Sequence, residues 1–195
     1  MALAQATLAE ELTKLFDSSD PNFVGYPANL GAAASNWGNA YNTYASTAVD
    51  VSGDSLVSAN AASFVSALQS GLESSSDATA AANAFDAAFV AYWTGAVFSI
   101  GFSPTPASAC PSVGGTGLWS SEISSVVSAV TASTLTNLLV TEFAILGGSA
   151  ASKADSLATA FHSATTTAVF VLITGLDTTP TPAGPLPITN TCTIF

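Results

Sequence analysis

The chain has no arginine, only two lysines (Lys14 and Lys153) and a single histidine, His162, in 195 residues. Thirteen acidic residues oppose those cations, for a formal net charge of −11. This balance argues against a nucleic-acid partner, because phosphates are neutralised by clustered Lys and Arg. It argues against attachment to an anionic membrane surface on the same ground. Charge of either sign is scarce: 8% of residues are charged, against about 25% in ordinary soluble domains. Away from the acids the surface must be Ser, Thr, Asn, Gly and Ala. Such groups lose little hydration and little side-chain entropy when covered. That skin suits a protein packed among neighbours, and it also suits a secreted domain.

Long apolar runs are missing too. The nearest is Phe85 to Phe102, which contains Asp86 and is interrupted by Gly95 and Gly101. A membrane span needs about 20 clean apolar residues, so this stretch reads as a buried core helix. Met1 to Ala9 has neither a basic start nor a continuous apolar core, and no secretory leader is read there. The only cysteines, Cys110 and Cys192, lie in Pro-containing stretches without CxxC spacing. Two cysteines allow one pairing and establish none, and these read as inert thiols rather than metal ligands. No cofactor is expected.

What is present is a hydrophobic content of 49%, enough for a real core at this length. Most of it is arranged with helical spacing. Ala4, Leu8, Leu12 and Leu15 predict a helix over 2–17, stopped by Asp17 to Pro21. Leu30, Ala33, Ala34, Trp37, Tyr41, Tyr44 and Ala48 form a second stripe, and Val57, Ala61, Phe64, Leu68 and Leu72 a third. The fourth, capped by Ser76 or Asp77, carries Ala81, Phe85, Ala88, Phe89, Tyr92 and Ala96 and should be central. After a Pro/Gly-rich loop at 101–118, Ile123, Val126, Val127 and Val130 predict a fifth helix. It is either continued with a kink or followed by a second short helix through Leu135, Leu138, Leu139, Phe143 and Leu146. Ser149 or Ser152 opens another with Leu157, Ala160, Phe161 and Ala164. Residues 168–173, β-branched and short, read as one buried strand.

The expected fold is therefore mainly α: about five to seven helices with a minor β strand and an extended Pro-rich C-terminal arm. The helical domain covers 1–177 and the arm 178–195. Pro180, Pro182, Pro185 and Pro187 make the arm polyproline-like, and Ile194 and Phe195 give it an apolar tip. It reads as an attachment device. Trp37, Tyr41 and Tyr44 are candidate contact residues as an exposed aromatic patch, although at helical spacing they equally fit a core.

Catalytic patterns fail one by one. No G-x-S-x-G surrounds any serine, and His162, beside an apolar stripe, reads as a core or interface histidine. Asp50 to Asp54 begins like a calcium loop, but Ser55 stands where glycine belongs and Ala61 where the bidentate glutamate belongs. Glu10-Glu11 and Glu73-Asp77 lie near helix ends, where acids are ordinary. Gly114 to Gly117 lacks the lysine of a phosphate loop.

Several pieces, in order along the chain, carry a likeness. They are Met1 to Leu8 (MALAQATL), then Ala84-Phe85, Ala88-Phe89 and Tyr92-Trp93, then Ala158 to His162, then Pro180 to Pro187 followed by Ile188. In these the chain resembles small Ala/Ser/Thr-rich virion structural proteins of tailed bacteriophages. It departs from them in the aromatic segment Asn36 to Tyr44 and in continuing to Cys192 and Phe195. The resemblance implies a non-enzymatic virion subunit of capsid, neck or tail, whose partners are copies of itself and other virion proteins. The competing expectation is a secreted or surface-exposed binding module that uses the aromatic patch.

Overall fold

The computed structural model describes residues 3–49, 55–99, 124–145, 147–174 and 188–192. Six helices and a five-stranded antiparallel sheet are found among them. Helix α1 (Gln5–Phe16) buries Leu8 and Leu12 and packs against helix α2 (Leu30–Ala45) and helix α6 (Ala150–Thr167). Asn29 starts α2, its Oδ1 accepting the Ala32 N–H at 2.8 Å. Helix α3 (Ala61–Glu73) runs along helix α4 (Ala78–Trp93), and helix α5 (Leu135–Ala144) packs on α4 and α6.

α4 is central for a reason visible in its sequence. It is apolar around most of its circumference, leaving only a narrow exposed strip at Thr79, Asn83 and Ala87. Ala82, Ala84, Phe85, Ala88, Phe89, Tyr92 and Trp93 are all buried. Asp77 caps it by accepting the Ala80 N–H at 2.8 Å. The small residues let helices approach closely. A Cβ added at Gly71 of α3 would lie 2.5 Å from the Ala84 Cβ and 3.0 Å from its Cα.

At its C-terminus α4 turns directly into the sheet. Gly95 sits at φ +81°, a left-handed conformation that glycine adopts without a Cβ penalty. Its N–H donates to the Val127 carbonyl at 2.7 Å. The sheet order is β1 (Ser55–Ser58), β2 (Val97–Ser99), β3 (Ser124–Ala132), β4 (Val169–Thr174), β5 (Ile188–Cys192), every pair antiparallel. Phe98, Val127 and Phe170 point inward to the helices and are fully buried.

The mainly helical architecture matches expectation. The stripe at 123–130 does not: residues 124–132 form β3, the longest strand, rather than a helix. Its Val, Ser and Thr content favours a pleated surface over a helix. Val57 likewise belongs to β1 and is 63% exposed, so the third helical stripe begins only at Ala61. The apolar run at 85–102 is not one core helix: it divides into the end of α4, the Gly95 turn and β2. The single strand expected at 168–173 is β4, and it has partners on both sides.

Within the expected C-terminal arm, residues 188–192 pair in register with β4, so this part belongs to the sheet. Pro180, Pro182, Pro185, Pro187, Ile194 and Phe195 lie outside the described residues, as do the 101–118 loop, Cys110 and the Asp50 to Asp54 segment.

Gly71→Ala should lower stability by about 1–3 kcal/mol through overpacking, outweighing a helix-propensity gain of roughly 1 kcal/mol. Gly38→Ala meets the Val65 Cγ2 at 2.5 Å, a side-chain methyl rather than backbone, so its loss should be smaller. Urea midpoints should therefore fall in the order wild type, Gly38→Ala, Gly71→Ala. A Gly71→Ala midpoint equal to wild type would contradict the α3–α4 approach.

Candidate functional site

Three features of the molecule hold chemistry that could serve a function: the polar heart of the core, one acidic cleft, and the outward side of the sheet.

The core is an aromatic cluster centred on Tyr41. Its ring stacks on Phe64 (centroids 5.4 Å, 15°) and meets Tyr92 (5.0 Å) and Trp93 (6.5 Å) edge-on. Its hydroxyl joins three helices. Trp93 Nε1–H donates to it at 2.8 Å, and it lies 3.0 Å from the Thr165 hydroxyl. Thr165 spends its own proton on the Phe161 carbonyl at 2.7 Å, so Tyr41 must be the donor to Thr165. Every side-chain polar atom of this Trp93–Tyr41–Thr165 network is paired, as burial requires. Burial also pushes the Tyr41 phenol well above its ordinary range, so the hydroxyl keeps its proton.

One helical turn along α2, Tyr44 makes the equivalent link to α6. Its hydroxyl lies 2.8 Å from His162 Nδ1. Desolvation raises the Tyr44 phenol and lowers the half-buried imidazole, so both groups are neutral at pH 7. Tyr44 then donates to Nδ1, which puts the ring proton on Nε2. His162 thus serves as a hydrogen-bonded fastener at the core margin.

These positions correct the aromatic-patch expectation. Tyr41 and Tyr44 are 1% and 0% exposed and offer no surface to a partner. Trp37 is half-buried against Phe16, Phe85 and Phe161. The physical reason is the polar partners: Trp93, Thr165 and His162 let phenols be buried without loss of hydrogen bonds. Among the described residues the exposed aromatic is instead Tyr26, 81% exposed, which composition alone does not single out.

An open cleft of about 430 Å³ lies beside α1, lined by Glu10, Thr13, Lys14, Asp20, Asn22 and Asp155. Lys14 is engaged by Glu11 one turn earlier in the same helix. Glu73, the other acid weighed with Asp77, accepts from the Gln69 amide at 2.9 Å. Among the described residues no group of three or more His, Cys, Asp or Glu is placed to hold a metal ion. None of the described helices is long and apolar enough to cross a membrane.

The outward side of the sheet is uncharged and mixes apolar residues with serines, the exposed Ser58 standing opposite Val97. Register puts Val97, Val126 and Ile173 in one row across three strands, with Ala129 opposite Val171 in the next. Val126 is 36% exposed and Val57, at the β1 bulge, 63%. The described strands contain no Asp, Glu, Lys or Arg, whereas the helices and their connections carry all the described charges.

No protein-family model matches this chain, and no curated protein or solved structure shows significant similarity to it.

Two outcomes follow from the core geometry. Tyr41→Phe strands the Trp93 N–H and should lower stability by about 1–3 kcal/mol, read as a lower urea midpoint with an unchanged slope. His162, with its folded pKa below the 6.5 of the free group, supports the fold fully above that pH. Stability should fall as pH drops through the folded value, because the unfolded chain takes up the proton first. His162→Gln, which still accepts from Tyr44, should flatten the melting profile between pH 6.5 and about 5, above the carboxylate range. An unchanged slope there would show that the imidazole is not held neutral by burial.

Proposed function

We propose that the chain is a non-enzymatic structural subunit of a tailed-phage virion, working through contacts with copies of itself and other virion proteins. The observation that carries this reading is the separation of charge from apolar surface. A body bearing nearly all the described charge on its helices presents, on its other side, a sheet free of charge and lined outward by valines. Soluble monomers seldom leave such a face open. A face of that kind is suited to burial against protein, since desolvating it removes no ionic hydration.

The other support is the resemblance already described in Met1 to Leu8, Ala84 to Trp93 and Ala158 to His162. Nothing in this reading calls for a cofactor. His162 fits it as a structural residue, since Nδ1 is occupied by Tyr44. The competing reading, a secreted or surface-exposed binding module, drew on Trp37, Tyr41 and Tyr44, and the burial of the two tyrosines removes its principal support.

Quantitative mass spectrometry of purified particles from the virus encoding this chain should find it in many copies. Antibodies raised against the recombinant protein should decorate intact or disrupted particles in electron micrographs. Particles that lack the chain would reject the proposal. So would a hydrolytic activity lost in His162→Gln while the fold is kept.

A further inference from the structure

We propose that the outward face of the sheet is a self-contact: two copies of the chain pack these faces together about a two-fold axis. The inference rests on the structural-subunit reading and names its first partner.

The argument begins with β4. Val169-Phe170-Val171-Leu172-Ile173 is apolar without alternation. A strand with one solvated face alternates apolar and polar residues, whereas a continuous run is the pattern of a strand covered on both sides. The helices cover one side, through Phe170. On the other, Val171 is half-buried and lies opposite Ala129, one row from Val126 and Ile173. Among the described residues, no element packs over this row.

Charge then selects the occupant. At −11, two copies repel wherever acidic surfaces meet, and the helical side meets any neighbour with Glu10, Asp20, Glu73, Asp86 or Asp155. The sheet side is the one broad surface on which a second copy encounters no like charge among the described strands.

Face-to-face sheets pack about 10 Å apart with interdigitating side chains. The Val, Ala, Ser and Thr of this face are small enough for that distance. Five strands about 4.8 Å apart give a face below the roughly 800 Å² per partner of a standard interface. A weak, reversible pair is expected in solution, reinforced where many copies assemble.

Sedimentation equilibrium and light scattering on the full chain, over a range of concentration and salt, test this. The wild type should self-associate, and more tightly as salt rises, because screening removes repulsion while the contact itself is uncharged. Val126→Glu and, independently, Val57→Glu should each weaken association at least about tenfold by burying an unpaired carboxylate. Ile145→Glu, at a helical-side residue 50% exposed, should leave it unchanged. Circular dichroism checks folding, and if Val126→Glu does not fold, Val57→Glu decides. A wild type that stays monomeric at high salt overturns the inference, including the case where the chain's own residues cover the face. Equal association of wild type and both sheet variants overturns it as well. Particle incorporation separates the two levels: a chain present in virions but monomeric sinks the self-contact alone. A self-associating chain absent from virions sinks the virion role alone.

Discussion

The Tyr41 hydroxyl ties three helices together at the centre of the core. It belongs to α2, accepts from Trp93 of α4 and donates to Thr165 of α6. Trp93 carries the arrangement into the sheet, stacking on Phe98 (5°) and meeting Phe170 edge-on. A core made only of Ala, Leu and Phe can slide between nearly equivalent packings, because one methyl resembles another. A fully paired polar chain cannot slide. Shifting α2 by one turn would take the Tyr41 phenol away from both its partners and leave the Trp93 indole N–H unpaired in a region closed to water. The gain is in uniqueness more than in net stability, since each such bond contributes only about 1 kcal/mol over its hydrated alternative.

The sequence was most legible where burial follows a single period. α1, α2, α4 and α6 show their stripes plainly, and Asp77 and Ser149 both cap as expected. Legibility failed at Val126, Val127 and Val130. These positions fit helical spacing by coincidence, because a strand with bulges also breaks strict alternation. β3 has two register shifts, between Val127 and Ala129 and between Val130 and Ala132. Each inserts a residue and moves the following side chains to the other face, which blurs the period of two into something near three. The β-branched content was the better guide there. The aromatic residues posed a different difficulty. Tyr41 and Tyr44 are amphipathic, and whether a phenol is core or contact turns on partners 52 to 124 residues away. No local pattern contains that information.

Charge distribution had no signature in the bulk composition. The total of −11 was plain, but not its absence from every described strand. Once the strands are located, the scarcity of charge acquires a place. The sheet's two edges differ in protection as well. β1 is short, bulged, and bridged at Ser55 by Val49, devices that blunt an edge against further pairing. Both edges and the outward face are nonetheless without the lysines that usually guard such strands.

The allocation of side chains by size links fold to surface. The largest fully buried groups are Trp93, Tyr41, Tyr44 and Tyr92, followed by Phe64, Phe89, Phe98, Phe161 and Phe170. With the bulky residues drawn inward, the helices that enclose them are left with Ala, Ser, Thr and Asn outside. Aromatic side chains bury 150–250 Å² each by general measure, so a few at the centre supply much of the apolar area a chain of this size needs. The exterior then carries little of the stability and can stay short-chained, with its described charge confined to the helices and their connections. Short side chains have little rotamer freedom to lose, and an uncharged surface has little hydration to shed. An aromatic centre therefore stabilises the fold while leaving outside it a short-chained surface with little side-chain entropy to lose on contact.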